Sequence, residues 1–311
     1  PLESAGVPIE DPVSAPPEVI PGLLPTTGQL LIAGETDVGK SLIALEIASA
    51  LLTGMPLWGA LPTSGASSGG TSGVKKALYV LGEHHTSILQ GLWAKTGLPV
   101  PPRSLWVVGP HEFPDHHLVT RGIPQVLVSA QLREWAQGCQ LVVYDPLASF
   151  CRGENIENDN AQMRLLLDTM TGIANDAGAA CIVLTHAGKP RRGEDGQPAP
   201  REEYRVRGAS AIEDAASAVF YMEKGVDGFY RLQRRKYKGT QEPKCYTLVR
   251  DPATLRHTLV TNLHDAKRLD FLQRYASLRT MMTPSDALRT AMSAAGVPRT
   301  TADRWISEQT P

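Results

Sequence analysis

Residues 34–41 carry the glycines, lysine and hydroxyl of a phosphate-binding loop. The run matches G-x-x-x-x-G-K-[ST] at every position. In such a loop, backbone N–H groups surround phosphate oxygens, a lysine reaches the β- and γ-phosphates, and a serine hydroxyl supplies one oxygen to Mg²⁺. The motif therefore predicts a site that binds ATP together with Mg²⁺. Its residues are Gly34, Glu35, Thr36, Asp37, Val38, Gly39, Lys40 and Ser41.

Two carboxylates supply what hydrolysis needs beyond the loop, because one acid must hold Mg²⁺ and another must activate water. Residues 141–145 form an apolar run that ends in an aspartate, as Walker B strands do, and Asp145 is expected to hold Mg²⁺ through its water shell. Since Pro146 follows it, the general base has to come from elsewhere. Glu83 ends another apolar run and is the candidate base, which would polarise a water for attack on the γ-phosphate.

The elements that position these residues are strands and helices in alternation. Residues 29–33 form an apolar run bounded by glycines, and apolar residues recur at helical spacing after Lys40, so the loop joins a buried strand to a helix. Amphipathic stretches at 124–137 and 161–177 separate later apolar runs. The alternation predicts an α/β fold with a mostly parallel sheet, whose strands bind ligands at their carboxyl ends. The later runs are 76–81, 105–108, 141–144 and 181–185.

Beyond about residue 215 the pattern changes to strand after strand, which predicts antiparallel hairpins that extend the sheet. We therefore predict one P-loop core over residues 23–265, with a mostly parallel sheet that antiparallel strands extend. Residues 1–22 are rich in proline and poor in aromatic residues, which is typical of an extended arm. The additional strands are predicted at 218–223, 230–236, 245–250 and 257–260.

Residues 266–311 form a predicted helical domain of their own. The run 283–286 combines an N-cap threonine, a proline suited to the first helical position and an acid two residues later, and 300–303 repeats the capping pattern. Two short helices joined at 296–298 would give a helix-turn-helix. A small helical cap that packs on the core or on a neighbour explains the same residues equally well, so both interpretations stay open.

The composition limits the classes of partner. Lys and Arg number 31 against 32 acidic residues, so the net charge of −1 gives no overall attraction to nucleic acid or anionic lipid, and a polyanion site has to be local. The cysteines lack C-x-x-C spacing, which favours reduced thiols. No apolar run approaches the ~20 residues that cross a bilayer, and no signal-peptide pattern is found, so we expect a cytoplasmic protein without a membrane partner. The cysteines are Cys139, Cys151, Cys181 and Cys245.

The ordered set of motifs resembles the RecA-like hexameric replicative helicases. Similarity is greatest to the plasmid RepA helicases, within the AAA_25 and DnaB-related P-loop ATPases, and it covers about residues 20–250. His84 and Thr185 depart from the pattern, where relatives often carry an acid and a histidine, without removing a required group. The motifs are the P-loop, a strand ending in Gly82-Glu83, a Walker B run ending in Asp145-Pro146-Leu147, a strand ending in residues 184–189, and Arg207-Gly208-Ala209-Ser210.

This resemblance implies an assembly and roles for individual residues. It implies a homo-oligomer, a hexameric ring on single-stranded DNA, with a replication partner such as a primase or loader. His186 matches a γ-phosphate sensor, and Arg207 matches the arginine finger that enters a neighbouring subunit's site. Both join Glu83 and Lys40 as candidate catalytic residues. One further cation is expected to reach a nucleotide, and the sequence leaves open which one. The candidates are Arg234, Arg235, Lys236 and Lys238.

A Gly/Pro-rich loop between Lys189 and Arg207 is predicted to bind DNA. In a RecA-like ring this loop faces the central channel, where its basic side chains would follow a single-stranded phosphate backbone. A merely exposed loop is the alternative. The candidate DNA-binding residues are Lys189, Arg191, Arg192 and Arg201.

Together these patterns predict an ATP-hydrolysing, ring-forming motor, a replicative helicase that translocates on single-stranded DNA. Two alternatives remain: a RecA-like recombination or loading ATPase that forms DNA filaments, and a DNA-binding regulator whose oligomerisation ATP controls. Histidines at 84–85 and 116–117 lack a third ligand at a predictable spacing, so we interpret them as surface residues or as residues that support a neighbouring site without binding a metal.

Overall fold

A computed structural model describes residues 18–63, 75–153, 159–188, 211–225, 228–237, 245–261 and 263–307. The described residues form strands and helices in alternation, followed by hairpins and then three helices. The strands are β1 (Glu18–Ile20), β2 (Leu24–Pro25), β3 (Gln29–Gly34), β4 (Lys76–Leu81), β5 (Leu105–Val108), β6 (Val119–Thr120), β7 (Ile123–Pro124), β8 (Cys139–Asp145), β9 (Cys151–Arg152), β10 (Ala180–His186), β11 (Ala218–Lys224), β12 (Tyr230–Tyr237), β13 (Cys245–Arg250) and β14 (His257–Leu259). The helices are α1 (Lys40–Thr53), α2 (Thr86–Thr96), α3 (Val126–Ala136), α4 (Asn160–Asp176), α5 (Ala211–Ala215), α6 (Leu263–Arg279), α7 (Pro284–Ala295) and α8 (Arg299–Ser307).

A nine-stranded sheet forms the centre of the molecule, with the order β14-β13-β12-β11-β3-β10-β8-β4-β5. The strands from β11 to β5 are parallel to one another. Strands β12, β13 and β14 extend this sheet by antiparallel pairing. The mostly parallel α/β sheet with an antiparallel extension is the architecture that the sequence predicts.

Helices cover both faces of the parallel part, and the alternation of side chains in β3 shows why. Leu30 and Ile32 contribute to the core beneath α1 and α2. Leu31 and Ala33 contribute to the opposite core, beneath α3 and α4. A strand buried on both faces needs apolar residues at every position, which explains the continuous apolar runs of the sequence.

A buried carboxylate on α1 binds to β14, the strand at one edge of the sheet. Glu46 accepts hydrogen bonds from the Trp58 indole N–H at 2.8 Å and from the His257 backbone N–H at 2.6 Å. The Glu46 side chain is 4% exposed, so these hydrogen bonds satisfy a carboxylate that would otherwise be costly to bury. The helix that follows the P-loop is therefore fixed to β14.

The first described residues belong to the packed part of the chain rather than to an extended arm. Strand β1 pairs with β2, and Val19 and Ile20 are buried in the main core. The packed region therefore begins before residue 23, where the sequence predicted the core to start.

The three last helices share a small apolar core of Phe271, Ala291, Val297, Ala302 and Trp305. Thr283 caps α7 as predicted, since its hydroxyl accepts from the Asp286 N–H at 3.3 Å. The second capping pattern differs from the prediction, because α8 begins at Arg299 and the carbonyl of Pro298 accepts its first hydrogen bonds. Within the described residues, no helix combines the length and apolar character needed to span a membrane.

Candidate nucleotide site

The P-loop lies between β3 and α1, at the carboxyl edge of the sheet. Gly34 packs so closely against β11 that a Cβ there would lie 2.6 Å from the carbonyl oxygen of Met222. Gly39 has φ +106°, a left-handed conformation that favours glycine. These two glycines let the loop turn tightly and start α1 at Lys40.

Lys40 folds back over the loop. Its ammonium donates to the carbonyl oxygens of Gly34, at 3.0 Å, and Glu35, at 2.8 Å. Burial lowers the pKa of Lys40, although the nearby carboxylates of Asp145 and Asp37 oppose this. The ammonium thus lies over a loop whose backbone N–H groups can bind anions. When a nucleotide binds, its phosphate oxygens can replace the two carbonyl oxygens as partners of the ammonium.

Asp145 lies at the end of β8 and accepts two hydrogen bonds on one oxygen. Ser41 Oγ donates to Asp145 Oδ2 at 2.6 Å, and the Tyr79 hydroxyl donates to the same oxygen at 2.7 Å. Burial and then the charge of Asp145 raise the pKa of Tyr79 well above its usual range, so the phenol keeps its proton. The hydroxyl and carboxylate oxygens form the type of donor set that Mg²⁺ prefers.

Glu83 lies beside Asp145 because β4 and β8 are neighbours. Leu81 pairs in register with Asp145, and the Gly82 N–H donates to the Asp145 carbonyl at 2.8 Å. The carboxylate of Glu83 is exposed and accepts from Ser149 Oγ at 2.7 Å. It is thus held in a fixed position yet open to water.

His186 ends β10, directly beside the P-loop strand. It pairs in register with Gly34, and the N–H of the next residue, Ala187, donates to the Gly34 carbonyl at 3.0 Å. The predicted finger Arg207 and the predicted DNA-binding residues lie outside the described part of the chain. Those DNA-binding residues are Lys189, Arg191, Arg192 and Arg201.

One cleft of about 320 Å³ collects the predicted site residues. Its size is in the range of small-molecule sites in proteins. It brings together the P-loop, both carboxylates and the histidine that sequence analysis singled out from distant positions. The predicted residues that line it are Thr36, Asp37, Gly39, Lys40, Ser41, Glu83, Asp145 and His186.

The fold agrees with comparisons to other proteins. A family model described as AAA domain, AAA_25, matches residues 5–192, which is more than half of the chain. The chain belongs to this family. It is therefore a P-loop ATPase with a RecA-like core.

A solved ATPase domain shares this fold at low sequence identity. It aligns with a TM-score of 0.52 at 10% identity, over 76% of this chain and 85% of that one. The KaiC-like protein PH0186 from Pyrococcus horikoshii OT3 aligns with a TM-score of 0.46 at 14% identity, over 78% and 93%. Comparison with curated proteins gives no match.

Arg250 also lines the cleft of this AAA domain, and sequence analysis did not single it out. Its Nη1 lies 3.3 Å from where a Cβ on Gly39 would be, and its guanidinium stacks on Tyr230 at 4.4 Å. The cation therefore lies against the phosphate-binding loop. Nothing in the local sequence marks this arginine, because the sheet brings it to the loop from more than two hundred residues away.

Three of the four cations left open by the sequence are described, and they have different surroundings. Arg234 is buried and stacks on Tyr237 at 4.8 Å. Lys236 donates to two carbonyls at the end of α5, each at 2.8 Å. Arg235 lines a second cavity, on the other side of the P-loop, together with residues 35–38. Lys238 lies outside the described residues. Of these three described candidates, Arg235 is thus the one that shares a cavity with the loop.

Proposed function

We propose that this P-loop ATPase is a ring-forming motor that translocates on single-stranded DNA as a replicative helicase. The observation that carries the proposal is the convergence of a phosphate lysine, a metal acid, a candidate base and a candidate sensor on one cleft. Asp145 and His186 end their strands and Glu83 follows the end of a third, while Lys40 begins the helix after the P-loop, so the sheet gathers the groups that phosphoryl transfer needs. The resemblance to RecA-like hexameric helicases supplies the substrate.

Nucleotide binding would rearrange the contacts around Asp145. Bound Mg²⁺ would neutralise phosphate charge and orient the γ-phosphate. Ser41 and Asp145, now joined by a hydrogen bond of 2.6 Å, would turn their oxygens to the metal and its water shell. Tyr79 can keep its own hydrogen bond and hold the carboxylate in place, since it lies on the neighbouring strand.

Glu83 is the residue we assign to water activation. Its carboxylate is exposed to the cleft, and Ser149 orients it through a hydrogen bond of 2.7 Å. A carboxylate so placed can accept the proton of an attacking water while Lys40 and the loop N–H groups stabilise the charge on the γ-phosphate.

The ring and DNA parts of the proposal rest on the family resemblance. Arg207 of a neighbouring subunit would complete the charge stabilisation, and His186 would sense the γ-phosphate. Lys189, Arg191, Arg192 and Arg201 would contact the DNA backbone in the channel. We propose that the ring works in the cytoplasm with a primase or loader, in keeping with the same resemblance.

A forked DNA duplex tests this proposal directly. Lys40→Ala should abolish both DNA-stimulated ATP hydrolysis and strand separation, whereas Lys95→Ala, at an exposed lysine at the end of α2, should leave both unchanged. Native mass measurement with ATP should give a hexamer. A protein that hydrolyses ATP but never unwinds the fork would contradict the helicase function and leave the ATPase intact, and a filament would favour a recombination or loading role.

A DNA-binding regulator is the second candidate, favoured by the helix pair α7–α8. Three arginines of this pair, Arg289, Arg299 and Arg304, are exposed, while Trp305 is buried in the helical core. Deletion of residues 266–311 distinguishes the two functions. A regulator would lose sequence-specific DNA binding, whereas a channel motor would keep DNA-stimulated hydrolysis.

A further inference from the structure

Three potential metal ligands meet at the rim of the nucleotide cleft. His85 precedes α2, and His111 and Glu112 follow β5. One ligand atom of each lies within 4.8 Å of the others, and across the described ranges no other set of three such residues comes as close. The sequence could not show this, because the residues come from two separate segments.

The carboxylate of this cluster is already held in position. Thr86 Oγ1 donates to Glu112 Oε1 at 3.1 Å, and the Gly109 N–H donates to Oε2 at 3.1 Å. The rings of His85 and His111 lie 5.4 Å apart, and His111 Nδ1 is 3.9 Å from Glu112 Oε1. Each carboxylate oxygen has a further lone pair available for a cation.

We propose that His85, His111 and Glu112 bind a divalent transition metal, of which Zn²⁺ is the best fit. Two imidazoles and one carboxylate are typical zinc ligands, whereas Mg²⁺ prefers oxygen ligands. Zinc bonds of about 2.0–2.2 Å require the ligand atoms to move together by roughly an ångström. The side chains can do so without disturbing the core, since that of His111 is 78% exposed.

Ser87 allows His85 to change partners when the metal arrives. His85 Nδ1 now accepts from the Ser87 N–H at 3.2 Å and lies 2.9 Å from Ser87 Oγ. If Nδ1 carries the proton, it can donate to that hydroxyl and leave Nε2 free to bind the metal. Metal binding would thus replace the hydrogen bond that caps α2.

The site would join the segment after β4 to the segment after β5. His85 lines the nucleotide cleft and lies two residues after Glu83, so a bound metal would restrain the turn that carries the candidate base. Three protein ligands leave positions open for water or another oxygen ligand. The proposal does not depend on DNA or on ring formation.

Metal titration of the full chain, without a histidine tag, tests the site. Zn²⁺ in competition with a chromogenic indicator should bind once per chain, and Co²⁺ should give visible absorption bands of a low-coordinate complex. His111→Ala and Glu112→Gln should each weaken zinc binding at least tenfold. His117→Ala, which changes a histidine outside the cluster, should not alter it.

Several results would overturn the proposal. These are the absence of stoichiometric zinc binding, unchanged affinity in His111→Ala, or a loss of affinity in His117→Ala. Circular dichroism of each variant should show that the fold is retained, since none of the three side chains is buried. Zinc affinity should also persist in Lys40→Ala, so failure of the metal site and failure of the motor are separate outcomes.

Discussion

Tyr79 donates its hydroxyl proton to Asp145 Oδ2 at 2.7 Å, the oxygen that also accepts from Ser41. The two residues lie on neighbouring parallel strands, β4 and β8. Because burial keeps Tyr79 protonated, the phenol serves as a permanent donor to the carboxylate. The orientation of this acid is therefore set by the sheet itself and does not require a bound nucleotide.

Tyr79→Phe should weaken the binding of Mg²⁺ and leave the fold intact. Loss of a hydrogen bond to a charged group costs roughly 1.5–3 kcal/mol, so we expect about a tenfold higher Mg²⁺ concentration at half-maximal ATPase rate. Tyr144→Phe is the matched control, since Tyr144 is equally buried and its hydroxyl has no hydrogen-bond partner among the described residues. Equal Mg²⁺ dependence in both variants would refute the role of Tyr79.

Glu83→Gln should stop hydrolysis while nucleotide binding persists. The amide keeps the shape of the side chain but cannot accept a proton, and general-base catalysis contributes about 10²–10⁴-fold. Single-turnover hydrolysis and binding of a fluorescent ATP analogue separate the two effects. Ser149→Ala removes only the orienting hydroxyl and should lower the rate much less. A Glu83→Gln variant that turns over at the parent rate would assign the base elsewhere.

Arg250→Ala should weaken nucleotide binding. The guanidinium lies beside Gly39 in the cleft, and loss of one charge-assisted contact would raise the Kd about 10- to 100-fold. Arg256→Ala is the control, at an exposed arginine that lines another cavity. Titration of a fluorescent nucleotide measures both, and an unchanged Kd in Arg250→Ala would show that this cation only stacks on Tyr230.

The buried thiol of Cys181 should make the protein sensitive to alkaline pH. Burial raises its pKa from 9.0 to about 12, so the unfolded chain loses this proton first. The free energy of unfolding that depends on the buried, protonated thiol is at its full value below pH 9. It falls as pH rises from 9 to 12, because the unfolded chain then loses the proton while the folded chain keeps it. Urea unfolding at pH 8 and 10.5 measures it. We expect Cys181→Ala to reduce the loss by about 2 kcal/mol, and a variant with an equally steep loss would contradict this assignment.

The sequence predicted the parallel sheet well because its central strands are buried on both faces. Strand β4 begins and ends at the predicted residues, 76 and 81, and β13 matches its prediction, 245–250. Helix α2 was not predicted, since few of its residues are buried and its apolar periodicity is weak. Helix α6 was also missed.

The predicted site residues share motifs, and the missed ones do not. Lys40, Ser41 and Asp145 lie in runs whose spacing carries phosphate and metal chemistry. Tyr79 is one more large residue in a buried run, and Arg250 ends an edge hairpin. The roles of both residues depend on the order of the strands in the sheet. This order pairs β4 with β8, and it places β11, from which the hairpins extend, beside the P-loop strand. The spacing of residues along the chain does not encode this order.

The hydrogen bond from the Ala187 N–H to the Gly34 carbonyl connects the start of the P-loop directly to the residue that follows β10. Residue 187 lies two positions before the segment 189–210, where the candidate DNA-binding residues are found. A displacement of the P-loop on loss of the γ-phosphate would therefore pass to the start of that segment through one peptide contact, with no intervening helix or hinge. In the motor that we propose, the coupling between hydrolysis and DNA would then depend on the stiffness of a single strand end, that of β10.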